Sequence, residues 1–138
     1  MRTLREEILA SADTQVRPVE AGRGPQVVFR FGRDFTGFQG HFPGHPILPA
    51  FVQLLTGECA LSLCSGRPWR LRRILRSKFL KPVRPDEAVT VTWQEQPQDD
   101  HLCCSFTLLA DGEKAAVFTL EFDVPDAQRR CGEESRHA

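Results

Sequence analysis

The sequence lacks an excess of charge of either sign. It carries 18 lysines and arginines against 18 aspartates and glutamates, so the formal net charge at pH 7 is zero. A protein that binds nucleic acid or a membrane surface through its overall charge has a marked basic excess. The composition therefore argues against both functions, and any partner must be recognised by a local patch.

Long apolar runs are also missing. The first residues, MRTLREEILASADTQ, alternate charged with apolar side chains and contain no apolar core of the kind found in secretory signals. No later segment approaches the roughly 18 uninterrupted apolar residues of a membrane span. We therefore expect a soluble, cytoplasmic protein without a membrane segment.

The five cysteines show neither a Cys-x-x-Cys pair nor the spacing of a zinc site. Their odd number indicates free thiols in a reducing compartment. Cys103 and Cys104 are neighbours in a predicted strand, so their side chains should point to opposite faces and one of them should lie in the core.

The predicted elements are a short helix, a strand, a long helix and four further strands. Residues 3–12 fit an amphipathic helix with Thr3 as its N-cap, and PQVVFRFGRDF fits a strand. The run AFVQLLTGECALSLCSG is almost wholly apolar, with Pro49 suited to its first turn and Gly66 to its C-terminal cap. The last four strands are predicted in WRLRRILRSKFLKPV, DEAVTVTWQEQ, HLCCSFTLLAD and EKAAVFTLEFDV.

These elements predict an α+β fold in which a curved antiparallel sheet wraps one long helix. Such a sheet leaves edge strands exposed, and pairing with a second copy is a common remedy, so we expect a homodimer. Residues 1–124 should form a single domain. Residues 125–138 have almost no apolar content and should form a disordered tail.

The segment GHFPGHPILP, residues 40–49, precedes the long helix. Pro43 fixes φ and Gly44 tolerates a positive φ, so stiff backbone presents His41. A histidine beside a helix N-terminus can move protons while free N–H groups polarise a carbonyl. The segment predicts acid/base chemistry at a carbonyl or thioester; the alternative is a histidine that only hydrogen-bonds the turn.

A metal site at His41 and His45 is not predicted. Two ligands four residues apart meet on one side only in a helix, and Pro43, Gly44 and Pro46 exclude a helix here. No cofactor is predicted either.

Two motifs resemble those of the hot-dog-fold 3-hydroxyacyl-carrier-protein dehydratases of the FabA/FabZ type. The first is FQGHFPGHPILP, residues 38–49, and the glutamine at position 53 makes it most similar to the ApeI-like branch. The second, KFLKPVRPD, residues 78–86, is similar to a strand motif of the form KFxxPVxPGD. The resemblance spans about residues 27 to 122. It implies a hot-dog fold and a lyase acting on fatty-acyl or polyene-type thioesters of acyl carrier protein or coenzyme A.

The resemblance also implies roles for individual residues. His41 lies on the catalytic histidine that removes the C2 proton of the 3-hydroxyacyl thioester. The N–H of Ala50 falls where a glycine N–H hydrogen-bonds the thioester carbonyl, and the carbonyl of Ile47 falls where the histidine ring is oriented. The other predicted substrate contacts are Phe42, Pro49, Gln53 and Leu55.

Leu55 is the main departure from the family. It occupies the position, fourteen residues after the histidine, of the Glu or Asp that the partner subunit's helix supplies. Leucine can neither protonate nor hold the leaving hydroxyl. Glu58, one turn further on, is a candidate substitute acid or, alternatively, a buried carboxylate with a hydrogen-bond partner. Ala50 adds a methyl group where the thioester approaches, and Gln53 could simply satisfy backbone groups near the helix start.

The basic residues between positions 67 and 84 are the one local departure from neutrality. They form either a solvated strand face or a surface for an acidic carrier protein or the phosphate of phosphopantetheine, which guanidinium groups bind well. The predicted carrier contacts are Arg72, Arg73, Arg76, Lys78 and Lys81.

Three functions stay open on the sequence. The first is a 3-hydroxyacyl thioester dehydratase with His41 as the base. The second is a hot-dog thioesterase in which a carboxylate such as Glu58 activates water. The third is a non-catalytic dehydratase-like subunit that binds an acyl chain or pairs with an active paralogue.

Overall fold

The computed structural model describes residues 2–13, 24–39 and 44–124. Two helices and five strands make up this part of the chain. They are α1 (Leu4–Ala10), β1 (Gln26–Arg30), α2 (Ala50–Ser65), β2 (Arg70–Phe79), β3 (Ala88–Pro97), β4 (His101–Ala110) and β5 (Glu113–Asp123), with a short 3-10 turn at Thr36–Phe38. The predicted tail, residues 125–138, lies outside the described residues and stays a prediction.

Helix α1 begins where its capping chemistry predicts. The side-chain oxygen of Thr3 accepts a hydrogen bond from the N–H of Glu6, which satisfies one of the amides that a helix start leaves unpaired. Ile8 is fully buried. Leu4, at the first position of the helix, is partly buried and packs against the same core, so two apolar residues and a defined start fix the helix.

The five strands form one antiparallel sheet in the order β1-β3-β4-β5-β2. Asp111 and Gly112, with φ values of 47° and 85°, make the tight turn between β4 and β5. Two consecutive positive φ values are the mark of a hairpin turn that matches the twist of the strands. The predicted turn signal between these strands is therefore correct.

One face of the sheet, here called the inner face, packs against α2. The two elements meet closely at Gly57, where an added Cβ would lie 2.9 Å from Cε2 of Phe118. Alternate residues of β4 and β5, among them Phe106, Phe118 and Leu120, are buried. Cys104 belongs to this buried set and Cys103 is half-buried on the opposite face, as the sequence predicted.

Helix α2 differs from the prediction at its start. Pro49 has extended backbone, with φ −60° and ψ 153°, and is the N-cap residue rather than part of the first turn. Its ring still suits the position, since a fixed φ near −65° fits extended backbone as well as helix. Gly66 ends the helix with φ 72°, as predicted, because this left-handed conformation is free of Cβ strain only in glycine.

Among the described strands, β2 lies at an edge of the sheet and pairs with β5 alone. Two irregularities interrupt its register, between Leu71 and Arg73 and between Ile74 and Arg76. The strand and the residue after it expose large apolar side chains, namely Ile74, Leu75, Phe79 and Leu80. Across the described residues, no helix combines the length and apolarity that crossing a bilayer requires.

Candidate functional site

Two predicted site residues, His41 and Phe42, lie outside the described residues. The description resumes at Gly44, whose φ of 88° fits the prediction of a glycine-dependent turn in this segment. Four residues later the chain is fixed, because the N–H of Leu48 donates to the carbonyl of Val83 at 2.8 Å. The segment that follows the histidine in the sequence is therefore anchored to the rest of the fold at Leu48.

The start of α2 carries unpaired backbone donors. The N–H groups of Val52 and Gln53 both donate to the carbonyl of Pro49, at 3.1 Å each. Ala50 and Phe51, the first two residues of the helix, find no acceptor for their N–H groups among the described residues. Both residues are exposed, so the N–H of Ala50 can bind a carbonyl oxygen from outside the chain.

Gln53 is buried next to this helix start, with 3% of its surface exposed. Its Nε2 donates to the carbonyl of Leu48 at 3.1 Å, which is the backbone role that the sequence left open for it. This bond fixes the orientation of the amide, because a carbonyl can receive only the nitrogen end. Among the residues that the structure describes, Oε1 is then left without a hydrogen-bond partner.

An open cavity of about 360 Å³ lies at the helix start. It brings together residues from both sequence motifs, including three of the predicted substrate contacts and one predicted carrier contact. Its lining consists of Ile47, Leu48, Ala50, Gln53, Phe79, Leu80, Lys81 and Pro82. Sequence reasoning missed Phe79, Leu80 and Pro82 as lining residues, although their place in the second motif was the signal that could have found them.

Leu55 is half-buried and packs against the hydrophobic core. It does not line the cavity at the helix start. Helix α2 carries a single acidic residue, Glu58. Nothing on this helix other than Glu58 could therefore supply a carboxylic acid.

Glu58 is 2% exposed, and both oxygens of its carboxylate are engaged. Oε1 contacts Nε of Arg5 at 2.5 Å, and Oε2 accepts the backbone N–H of Leu71 at 2.7 Å. The hydrogen bond to Glu58 raises the pKa of Arg5. These contacts tie α1 and β2 to α2, which is the partnered, buried carboxylate that the sequence offered as one alternative.

The cysteine beside Glu58 is not a nucleophile of this site. Burial, together with the negative charge of Glu58, raises the pKa of Cys59 to about 12. A thiol with so high a pKa has almost no thiolate near neutral pH.

Three of the five predicted carrier contacts form ion pairs within the chain. Arg73 donates to Oε1 of Glu121 at 2.9 Å, and this hydrogen bond lowers the pKa of Glu121. Arg72 lies 4.0 Å from a carboxylate oxygen of Asp123. The third is Lys81, whose Nζ lies 3.2 Å from Oε2 of Glu113.

Arg76 and Lys78 differ from those three. Neither has an ion-pair partner in the part of the chain that the structure describes. Both line a cavity of about 550 Å³ across β2, β5 and β4. The register places Arg76 beside Thr119 and Thr119 beside Ser105, on the outer face, which is the face of the sheet opposite α2.

Comparison with known proteins identifies relatives of the larger part of the chain. The chain matches the family model described as ApeI-like, ApeI dehydratase, over residues 19–119. The 3-hydroxyacyl-[acyl-carrier-protein] dehydratase FabZ of Oenococcus oeni is 31% identical over 93 residues, which cover 62% of this chain and 67% of the relative. FabZ of Latilactobacillus sakei subsp. sakei is 32% identical over 95 residues, with coverage of 63% and 68%.

A solved structure with the same fold is the dehydratase heterocomplex ApeI:P from Xenorhabdus doucetiae. The TM-score is 0.65 at 17% identity, with 82% of this chain and 96% of that chain covered. The E. coli PaaI protein from the phenylacetic acid degradation operon superposes with a TM-score of 0.60 at 12% identity, covering 87% of each chain. At these identities the likeness concerns the fold alone, and it confirms the predicted hot-dog fold.

Proposed function

The chain belongs to the ApeI-like dehydratase family, and we propose that it forms a 3-hydroxyacyl thioester site with His41 as the base. The observation that carries the proposal is the N–H of Ala50, which lines the cavity directly after the FQGHFPGHPILP motif and has no acceptor among the described residues. A thioester carbonyl bound there becomes more polarised, which acidifies the protons on C2. The substrates we propose are fatty-acyl or polyene-type thioesters.

The proposed reaction needs two proton transfers. His41 removes the proton from C2, and a second group must protonate or hold the hydroxyl that leaves from C3. Leu55 cannot do so, and Glu58 would have to give up its bonds to Arg5 and the N–H of Leu71. We therefore expect a chain with a complete binding site and little or no turnover by itself.

A second candidate function follows from the nature of Leu55 and Glu58. A dehydratase-like subunit that binds acyl thioester, or that pairs with a paralogue retaining the acid, needs no carboxylate of its own. Hydrolysis with Glu58 activating water has less support, since both carboxylate oxygens already accept hydrogen bonds.

For the partners of the site we propose an acyl carrier protein or coenzyme A thioester and a second copy of the chain. Arg76 and Lys78 are the basic residues best suited to the phosphate of phosphopantetheine, because no carboxylate among the described residues neutralises them. The apolar side chains exposed along β2 support edge-to-edge pairing of two copies. The cytoplasmic location stays a prediction.

The test measures both the turnover and the binding of 3-hydroxyacyl thioesters. Enoyl formation from 3-hydroxyacyl thioesters is followed by ultraviolet absorbance for the wild type, Leu55→Glu and His41→Ala in the Leu55→Glu background. We expect slow or absent turnover in the wild type, a gain with Leu55→Glu, and a loss of about 10² to 10⁴ when His41 is removed. His45→Ala is the matched control, because His45 is exposed and should leave the rate unchanged.

Two outcomes would contradict the proposal. Failure of the wild type to bind any 3-hydroxyacyl thioester would remove both the dehydratase and the partner-subunit function. Release of free thiol in place of enoyl product would assign the site to hydrolysis.

A further inference from the structure

The amide oxygen of Gln53 is a buried acceptor that receives no hydrogen bond from residues 2–13, 24–39 and 44–124. Gln53 is one of the cavity-lining residues, and the bond from Nε2 to Leu48 leaves only Oε1 for another partner. A buried acceptor without a donor costs stability, so its presence calls for an explanation. A donor carried by a ligand in the cavity would supply the missing bond.

The cavity also presents a donor close to this acceptor. The N–H of Ala50, which has no acceptor in the described part of the chain, lies three residues before Gln53, about one turn of helix away. A ligand that satisfies both groups must offer an acceptor to Ala50 and a hydrogen-bond donor to Gln53. The opposite polarity of the two groups therefore restricts the chemistry of the ligand.

We propose that Oε1 of Gln53 accepts a hydrogen bond from the 3-hydroxyl of an acyl thioester whose carbonyl lies on the N–H of Ala50. This inference rests on the proposed function and names the group that the site recognises. A 3-hydroxyacyl thioester carries a carbonyl on C1 and a hydroxyl on C3, so it offers both partners at once. An enoyl or saturated acyl thioester offers only the carbonyl.

The role assigned to Gln53 is recognition and not proton delivery. A neutral amide holds the hydroxyl through its oxygen but has no proton to give to the leaving group. The site therefore prefers the hydroxylated ligand over the dehydrated product, whether or not turnover follows. Gln53 would then keep the hydroxyl bound, while the proton delivery that a carboxylic acid provides is absent because position 55 is a leucine.

The first experiment uses the wild-type chain. Affinities are measured by calorimetry for pantetheine amides, which cannot react, bearing a saturated acyl group or either enantiomer of the matching 3-hydroxyacyl group. We expect one enantiomer to bind about tenfold more tightly than the saturated analogue, the gain of one hydrogen bond to a buried acceptor. Equal binding of all three would overturn the inference and leave the proposed function standing, whereas no binding at all would overturn both.

The second experiment isolates the residue. Gln53→Met keeps the length and burial of the side chain and removes the oxygen. The substitution also removes the bond to Leu48, and this loss should lower the affinity for the saturated and the 3-hydroxyacyl ligand by the same factor. The ratio of the two affinities therefore reports the contact with the hydroxyl alone. We expect this ratio to fall from about ten to about one, as loss of a single hydrogen bond predicts.

The matched control is Gln94→Met, since Gln94 is exposed on β3 and pairs with Ser105 of the outer face. This variant should keep the wild-type preference. A Gln53→Met protein that still prefers the hydroxylated ligand would overturn the inference. If Gln53→Met does not fold, the enantiomer comparison in the wild type decides by itself.

Discussion

Arg5 of α1 and Glu58 of α2 form an ion pair, Nε to Oε1 at 2.5 Å, although 53 residues separate them in the sequence. The second carboxylate oxygen accepts the N–H of Leu71 at the start of β2. One buried carboxylate thus joins three elements of the fold. Loss of this carboxylate should therefore lower the free energy of unfolding.

We expect Glu58→Ala to lower the free energy of unfolding by about 2 to 4 kcal/mol, because it removes a buried partner of both a guanidinium and a backbone N–H. Urea unfolding measures this loss. Glu113→Ala is the control, since the carboxylate of Glu113 is 76% exposed and should cost less than about 0.5 kcal/mol. A Glu58→Ala protein with the stability of the wild type would contradict this structural role.

The close contact between α2 and the sheet gives a second prediction. Gly57→Ala places a methyl group 2.9 Å from the ring of Phe118. We expect a net loss of about 1 to 2 kcal/mol, since overpacking costs more than the helix propensity of alanine returns. Gly32→Ala is the control, because a Cβ added at position 32 would have no described atom within 4 Å. A stabilised Gly57→Ala protein would contradict the packing described.

The local elements could be predicted from the sequence, because caps, turn residues and apolar periodicity act within a few residues. Thr3, Gly66 and the Asp-Gly turn each lie where such signals place them. The bond from Gln53 to Leu48 is also local and was one of the alternatives that the sequence offered, whereas the ion pairs could not be predicted for the opposite reason. The partner of Glu58 is 53 residues away, and the partner of Arg73 is 48 residues away, so only the folded chain brings them together.

The thiol beside Glu58 should resist alkylation. A pKa of about 12 leaves Cys59 about a thousandfold less thiolate at pH 8 than an ordinary cysteine has. We expect iodoacetamide to modify Cys103, which is half-buried on the outer face, well before Cys59. Mass spectrometry of the folded protein measures the two rates. Equal rates at both sites would contradict the burial of Cys59.

Acid should weaken the outer face at Glu121. The hydrogen bond from Arg73 lowers the pKa of Glu121 in the folded state, so its contribution is present above the unfolded pKa of about 4.3. That contribution is lost as the pH falls through the lowered folded value. Glu121→Gln should therefore be less stable than the wild type at neutral pH and nearly equal to it in strong acid.

Unfolding by urea across this pH range tests the prediction. Arg73→Met should behave like Glu121→Gln, because it removes the main cause of the lowered pKa. A constant difference between variant and wild type at every pH would contradict the linkage.

The exposed apolar edge of β2 gives a prediction about assembly. Leu75 is 42% exposed on this edge strand, and we propose that a second copy covers it. Leu75→Glu should convert a dimer into a monomer in light scattering, since a buried unpaired charge opposes association. Leu9→Glu, on α1 with 38% exposure, should stay dimeric. A wild type that is monomeric at all concentrations would remove this proposal.

The two register shifts in β2 have a consequence for how relatives of this chain should be aligned. A regular strand turns alternate residues to one face, so side chains three positions apart would point to opposite sides. Here Arg73 and Arg76 both reach the outer face, beside Glu121 and Thr119, because an extra residue lies between their pairing positions. In an alignment, the unpaired residue at each irregularity should therefore fall opposite a gap in any relative whose strand is regular, because only then do the paired side chains keep the same faces.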